Sequence, residues 1–145
     1  MKRFLRIISF LVFLLLSGCK AFSLDSIPYV ISGTFVMEDS STDYQICGVD
    51  FNLLNKGDKE IKRINIVFFL FDKDGEPAYE CRNRISVEIE KYIYPGENVS
   101  FCMSLDSFMN LIPEDILLVD YLYIAKIEYE DGSVWEDPYG LIAFR

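Results

Sequence analysis

Hydrophobic and polar residues alternate along most of the chain from about Tyr29 onward, with a repeat of two residues rather than 3.6. Segments rich in Val, Ile, Phe and Tyr are separated by turn-forming pairs that include Asp74-Gly75, Pro95-Gly96 and Asp131-Gly132. This pattern predicts an all-β fold in which seven antiparallel strands form a sandwich. The predicted strands are approximately 29–37, 44–54, 61–72, 77–90, 97–105, 119–130 and 133–139.

The alternation also predicts which strand is central and where it is interrupted. Residues 64–71 of the third strand are apolar on both faces, so we expect this strand to lie inside a sheet with both faces covered. Residues 106–118 break the alternation and contain several apolar side chains and Pro113. This segment is interpreted as a short helical or irregular crossover that caps one end of the sandwich.

The first residues of the chain have the pattern of a secretory leader. Basic residues accompany an apolar stretch from Phe4 to Leu16 that is shorter than the roughly 20 residues of a membrane-spanning helix. The stretch ends in Leu16-Ser17-Gly18-Cys19, which looks like a bacterial lipobox with a cysteine placed to carry a diacylglyceryl group. The alternatives are an ordinary signal peptide with an incidental cysteine, or an uncleaved anchor.

The lipobox predicts the organisation and location of the protein. Residues 1–18 are expected to be removed as a lipoprotein signal peptide, 19–28 to form the lipidated cysteine and its tether, and 29–145 to fold as one domain. Acyl chains on Cys19 gain about 0.8 kcal/mol per buried CH₂, so two or three of them hold a domain on a membrane. We therefore expect an extracytoplasmic protein of the bacterial cell envelope, lipid-anchored through Cys19.

Charge and composition narrow the functions. The chain has 14 basic and 23 acidic side chains, no histidine and a net charge of −9. The negative charge and the lack of a basic cluster argue against nucleic-acid binding. The lack of histidine excludes nucleophilic triads with an imidazole base and zinc sites that need histidine. No carboxylate pair stands out as a catalytic pair, so we expect neither enzyme activity nor a cofactor.

The last predicted hairpin carries two candidate binding features around a two-residue type I′ turn at Asp131-Gly132. Its aromatic residues are a candidate interaction surface: Tyr129, Trp135 and Tyr139. Its carboxylates are a candidate weak cation site: Glu128, Glu130, Asp131, Glu136 and Asp137. The alternatives are structural, with Tyr129 and Trp135 as a cross-strand pair and the carboxylates as a solvated face.

A second acidic segment, Asp72-Lys73-Asp74-Gly75-Glu76, begins like a calcium-binding EF-hand loop. Its twelfth residue is Asn83, however, where an EF-hand has a bidentate glutamate. A hairpin turn is therefore the favoured interpretation of this segment.

Three cysteines remain after Cys19. The strand phase predicts that Cys47 and Cys81 face inward and that Cys102 faces outward. A Cys47–Cys81 disulfide is the in-phase choice in an oxidising compartment, although the Cα separation decides it. Alternatively, the buried cysteines are small core hydrophobes.

A motif in the third predicted strand is similar to a known family signature. Phe68-Phe69-Leu70-Phe71-Asp72 reads as F-x-L-Y-D with Phe in the tyrosine position, and Asn55-Lys56-Gly57 and Pro95-Gly96-Glu97 fall where the family has turns. Over roughly residues 47–105 the chain thus resembles the FxLYD-type, immunoglobulin-like domains of bacterial secreted and lipid-anchored proteins. The resemblance implies an immunoglobulin-like sandwich and brings no catalytic residues.

Two functions are compatible with these features. The first is a membrane-anchored bacterial lipoprotein that displays a non-catalytic immunoglobulin-like sandwich for protein or envelope interaction. The alternative is an extracytoplasmic module that binds a small ligand or Ca²⁺ through the acidic, aromatic hairpin 128–139.

Overall fold

Seven strands are present in the structure, a computed structural model that describes residues 27–39 and 45–144. The predicted signal peptide, Cys19 and most of the tether lie outside these described residues. The strands are β1 (Tyr29–Asp39), β2 (Gln45–Asn55), β3 (Ile61–Phe71), β4 (Arg84–Ile93), β5 (Asn98–Ser104), β6 (Leu118–Tyr129) and β7 (Val134–Glu136).

The strands form two antiparallel sheets that share one hydrophobic core, so the predicted all-β, sandwich-like architecture is confirmed. One sheet has the order β1-β2-β5 and the other has the order β4-β3-β6-β7. The third strand lies inside the four-stranded sheet, as its apolar sequence predicts. The Phe51 and Phe68 rings meet edge to face at 5.6 Å, which joins the inner faces of the two sheets.

The connection between β5 and β6 is irregular. Of the two forms predicted for this crossover, the helical one is therefore wrong. Residues 106–117 form turns, and Met109 makes an isolated bridge with Cys81. The amides of Asn110 and Leu111 donate to the carbonyl of Glu80. These backbone groups therefore find their hydrogen-bond partner in a neighbouring loop rather than within a helix. No helix of the described chain is long and apolar enough to span a membrane.

Two strand boundaries also differ from the prediction because long-range hydrogen bonds end the strands. The fourth strand begins at Arg84 rather than at 77. The loop between β3 and β4 is closed by Asn83, whose carbonyl accepts from the Leu70 amide and whose side chain donates to the Leu70 carbonyl. The last strand ends at Glu136, and the chain then folds back so that Phe144 pairs with Leu122 of β6.

The turn at Asp131-Gly132 has a different geometry from the predicted type I′ turn. Only Gly132 has a positive φ, of 80°. Its amide donates to the Tyr129 carbonyl at 3.0 Å, while the Tyr129 amide donates to the Ser133 carbonyl. This is a three-residue loop, a type I turn followed by a left-handed glycine, which fits the strand twist without a positive φ at Asp131.

Asn55 organises the end of the sandwich where β1 begins. It is fully buried, and its side chain donates to the Ile93 carbonyl at 3.0 Å and accepts from the Gly57 amide at 3.0 Å. The Pro28 carbonyl accepts from the amides of Lys56 and Gly57 in the same turn. Ile27 belongs to the core. Ile27 and Pro28 therefore belong to the folded domain, although the prediction placed them in the tether. We call this end of the sandwich the tether end.

Candidate functional site

The three aromatic residues predicted as an interaction surface occupy different environments. Trp135 is half-buried, and its ring meets the Tyr29 ring edge-on at 5.5 Å. Tyr129 is only 9% exposed, whereas Tyr139 is 84% exposed. Trp135 therefore supports the fold, but it packs on Tyr29 of β1 and faces Ile127 in register, which corrects the predicted pairing with Tyr129.

The hairpin carboxylates are held by separate partners. Lys59 lies 2.8 Å from Asp131 and, together with Ser133, holds the pKa of that carboxyl well below its usual range. Lys126 donates to Glu128 at 2.6 Å and lowers the pKa of this carboxyl too. Each of these charges is thus neutralised locally.

Of the remaining hairpin carboxylates, two lie beside lysine residues and the third binds backbone amides. Glu130 lies 3.9 Å from Lys62, and Glu136 faces Lys126 in register. Asp137 is buried, and its carboxylate accepts two backbone amides of the folded-back segment. Within the described ranges, no group of three or more His, Cys, Asp or Glu side chains is placed to hold a metal ion.

The outer face of the four-stranded sheet is open at the end opposite the tether end. Phe68 and Leu70 are fully buried between the sheets, but Phe69 and Phe71 on the opposite side are only half-buried. The expectation that both faces of this strand are covered is therefore wrong at its last residues. We call this surface the aromatic face and define it by Phe69, Phe71, Leu118 and Tyr121.

Tyr121 completes the aromatic face through an irregularity in β6. Its ring lies 5.9 Å from the Phe69 ring and 6.2 Å from the Phe71 ring, and the residue is 42% exposed. The pairing of β3 with β6 shifts at this point, which indicates a β-bulge. Tyr121 also has a φ of 48°, a left-handed conformation that is strained for a bulky residue. Sequence periodicity carries no signal for such a bulge.

An acidic cavity of about 130 Å³ lies where the aromatic face ends. Phe71, the last residue of β3, pairs with Leu118, the first residue of β6. The residues just beyond this pair, Asp72 and Leu117, line the cavity. The charged side chains that line it are Asp72, Lys73, Asp74, Glu80, Glu114 and Asp115. The predicted turn is confirmed here, because the Asp72 carboxylate accepts the amides of Asp74 and Glu76, each at 2.9 Å.

The outer face of the three-stranded sheet is chemically different. It contains a shallow depression of about 480 Å³ lined mainly by small polar side chains, among them Thr34, Asn52 and Ser100. These are the outward positions of alternating strands, which explains their polarity. Phe51 and Phe101 also line the depression, the first buried and the second half-buried. Among the described residues of β1, β2 and β5, however, no aromatic side chain is as exposed as Tyr121, so this surface is used below for comparison.

The cysteines follow the predicted phase without forming the predicted disulfide. Cys47 and Cys81 are both buried and remain thiols, while Cys102 is exposed. Burial raises the pKa of Cys81 to about 11 and also raises that of Cys47. Both thiols are therefore protonated at neutral pH and act as small core hydrophobes, which confirms the alternative interpretation.

Comparison with known proteins leaves the function open. No family model and no curated protein matches the chain, so the FxLYD resemblance stays a prediction. The chain is similar to a solved structure described as "X-ray structure of Northeast Structural Genomics Consortium target SoR45", with 12% identity and a TM-score of 0.42. The match covers 83% of this chain and 94% of the other. A likeness of this strength carries no argument about function.

Proposed function

We propose that this protein is a bacterial lipoprotein, anchored to an envelope membrane through Cys19, that displays a non-catalytic immunoglobulin-like sandwich to a protein partner. The observation that carries the proposal is the aromatic face. Clusters of partly exposed aromatic rings are typical of protein interfaces, where aromatic side chains supply much of the binding energy.

The order of the strands supports the immunoglobulin-like assignment. In that fold the A, B and E strands share one sheet, and the C, F and G strands share the other. Here β1, β2 and β5 take the A, B and E positions, and β3, β6 and β7 take the C, F and G positions. β4 adds to the outer edge of the second sheet beside β3.

The strain at Tyr121 supports a functional role for the aromatic face. A left-handed conformation at a residue other than glycine costs about 1–3 kcal/mol, and such residues cluster at functional sites. Glycine would relieve this strain but would lose the ring contacts of Tyr121 with Phe69 and Phe71. The strained backbone therefore supports a role for the tyrosine ring on the outer face of the sheet.

The position of the aromatic face also fits display from a membrane. β1 begins at the tether end, where Tyr29 pairs with Asn55, whereas Phe71 and Leu118 pair at the opposite end of the four-stranded sheet. The eleven residues of β3 between these ends span roughly 33 Å. A domain anchored through the residues before Ile27 would therefore carry its aromatic face away from the lipid surface.

The variant Tyr121→Gly tests this proposal because it separates binding from folding. Glycine relieves the strained φ but removes the ring, so we expect the urea midpoint to stay within the equivalent of about 1 kcal/mol. Capture of the partner from envelope extracts by the full-length lipoprotein should fall at least tenfold. The matched control is Tyr94→Ser, which removes a ring that is 61% exposed at the tether end and should leave capture unchanged.

Two results would contradict the proposal. One is undiminished capture by Tyr121→Gly, which would mean that the aromatic face is not the interface. The other is a large loss of stability, which would mean that the Tyr121 ring is a structural element of the sheet.

A further inference from the structure

The two sheets of the described chain end in edge strands, and β4 is a long and unprotected one. β1 and β5 border one sheet, and β4 and β7 border the other. An edge strand exposes a row of backbone N–H and C=O groups that can pair with another chain. β7 has only three residues, whereas β4 has ten residues, Arg84–Ile93, without proline or glycine. Within the described ranges, β4 therefore offers a continuous free edge.

The regular part of β4 is centred on Val87. The consecutive residues Arg84–Glu90 pair with β3 without a register shift, and the shift lies beyond them, between Ile61 and Arg63 of β3. When two identical strands pair antiparallel about a twofold axis perpendicular to the sheet, one residue lies opposite itself. A second copy therefore uses the whole regular segment when Val87 is at the axis.

Pairing about Val87 makes the outward charges of β4 complementary. It places Arg84 of each copy opposite Glu90 of the other, and both side chains are exposed. Opposite charges at directly opposed positions stabilise antiparallel strands. The Arg84 guanidinium has no ion-pair partner among the described residues, and Glu90 contacts Arg63 at 3.5 Å. The long edge strands of the other sheet, β1 and β5, contain no lysine or arginine and offer no such match.

The inward side chains of β4 support the same pairing. Val87 and Ile89 pack against the core but are only half-buried, whereas Ile85 is buried. In the pairing about Val87, Ile89 lies beside the second copy's Ile85 and the two Val87 side chains meet, so these apolar groups lose accessible surface. Lys91 is the next inward residue, and its ammonium group lies 5.9 Å from the centre of the Phe101 ring. An inward charge at this position ends the apolar row and limits the pairing to the regular segment.

We propose that two copies of this chain pair antiparallel through β4, with Val87 at the twofold axis, so that their four-stranded sheets join into one continuous sheet. The inference goes beyond the proposed function and does not rest on it. Directly opposed residues of antiparallel strands point to the same side of a sheet, so both aromatic faces lie on one side of the joined sheet. With the twofold axis along a membrane normal, both tethers begin at the same height above the lipid.

Thiol crosslinking of the full-length protein in detergent solution tests the pairing. Ser86→Cys is combined with Cys102→Ala, which removes an exposed native thiol. The two copies of position 86 are diagonal neighbours in the proposed pairing, about 7–8 Å apart, so a short bismaleimide should produce a covalent dimer. The matched control is Tyr92→Cys, at an exposed position on the same strand that lies roughly 33 Å from its counterpart. We expect at least tenfold less crosslinked dimer from this control.

Charge reversal shows whether the contact lies between copies. In the Ser86→Cys protein, Arg84→Glu alone and Glu90→Arg alone should each lower the yield of crosslinked dimer at least fivefold, because each places like charges opposite one another. The combined reversal should restore the yield. Positions 84 and 90 are roughly 20 Å apart on one strand, so they cannot compensate each other within one copy. A yield lost through unfolding would not be restored by adding the second reversal.

Any of three results would overturn the proposal. The first is no crosslinking of the Ser86→Cys protein above that of Cys102→Ala alone. The second is equal crosslinking from Ser86→Cys and Tyr92→Cys, which would mean that copies collide in the micelle without a fixed register. The third is a combined reversal that leaves the yield as low as the single reversals do.

Discussion

Tyr29 joins the two sheets through both its ring and its hydroxyl. Its ring contacts Trp135 at 5.5 Å and Phe144 at 5.9 Å, and its hydroxyl accepts from the Ile124 amide at 3.0 Å. The hydroxyl thus satisfies a β6 amide at a position where the pairing with β3 is irregular. Burial raises the pKa of Tyr29 to about 12, so the neutral side chain is part of the folded state.

The first prediction concerns this hydroxyl and alkaline pH. The folded pKa of about 12 lies above the unfolded value near 10, so the stabilisation is complete below pH 10 and is lost as pH rises towards 12. Tyr29→Phe leaves the Ile124 amide unsatisfied and should cost about 1–3 kcal/mol at pH 8. Free energies of unfolding at pH 8 and pH 11 should differ less in this variant than in the wild type. An equal pH dependence in both proteins would refute the assignment.

At the scale of elements, β3 determines both the core and the exposed surface. One side of the strand carries Phe68 and Leu70 into the core, and the other carries Phe69 and Phe71 onto the aromatic face. The two sides of one apolar strand therefore have different roles, although their residue types are nearly the same.

The second prediction contrasts the two sides of β3. Phe68→Ala empties a fully buried position and should lower the free energy of unfolding by about 3–5 kcal/mol. Phe69→Ala removes a half-buried ring, where less apolar area is buried. It should therefore lower the free energy of unfolding by only about 1–2 kcal/mol. Urea denaturation of the two variants measures the contrast. Losses of equal size would mean that the aromatic face is as well covered as the core.

Local sequence patterns predicted the elements that depend on local structure. The alternation identified seven strands and the central place of β3, and the turn pairs at Asp74-Gly75 and Asp131-Gly132 marked real hairpin loops. Features decided by distant partners were missed. The β5–β6 crossover binds the Glu80 carbonyl instead of forming a helix, and the bulge at Tyr121 arises from register. The aromatic face depends on that bulge, and the sequence pattern does not show it. The sequence analysis therefore placed the candidate interaction surface on the last hairpin instead.

At the scale of the molecule, the two ends of the sandwich differ in chemistry. The tether end is closed by the buried Asn55 and by the backbone of Pro28. The opposite end presents exposed rings beside an acidic cavity. This polarity supports the proposed arrangement, in which the domain would be anchored at one end and would bind its partner at the other.

The third prediction concerns the anchor. Cys19→Ala should prevent lipidation and move the protein from the detergent phase to the aqueous phase in Triton X-114 partitioning, because the proposed acyl chains supply its membrane affinity. Cys102→Ala is the matched control, since it removes an exposed thiol of the domain and should not change partitioning. Retention of the Cys19→Ala protein in the detergent phase after removal of its leader would contradict the lipoprotein assignment.

Site-specific photo-crosslinking in the native cell tests the central claim, that the aromatic face is the docking surface. A photoreactive phenylalanine is placed at Leu118 or at Tyr79, both of which are exposed beside or within the proposed surface, and at Asn52 on the outer face of the other sheet. We predict one discrete adduct of the same mass from the first two positions and none from Asn52. Adducts from Asn52 alone, or equal adducts from all three positions, would contradict the account.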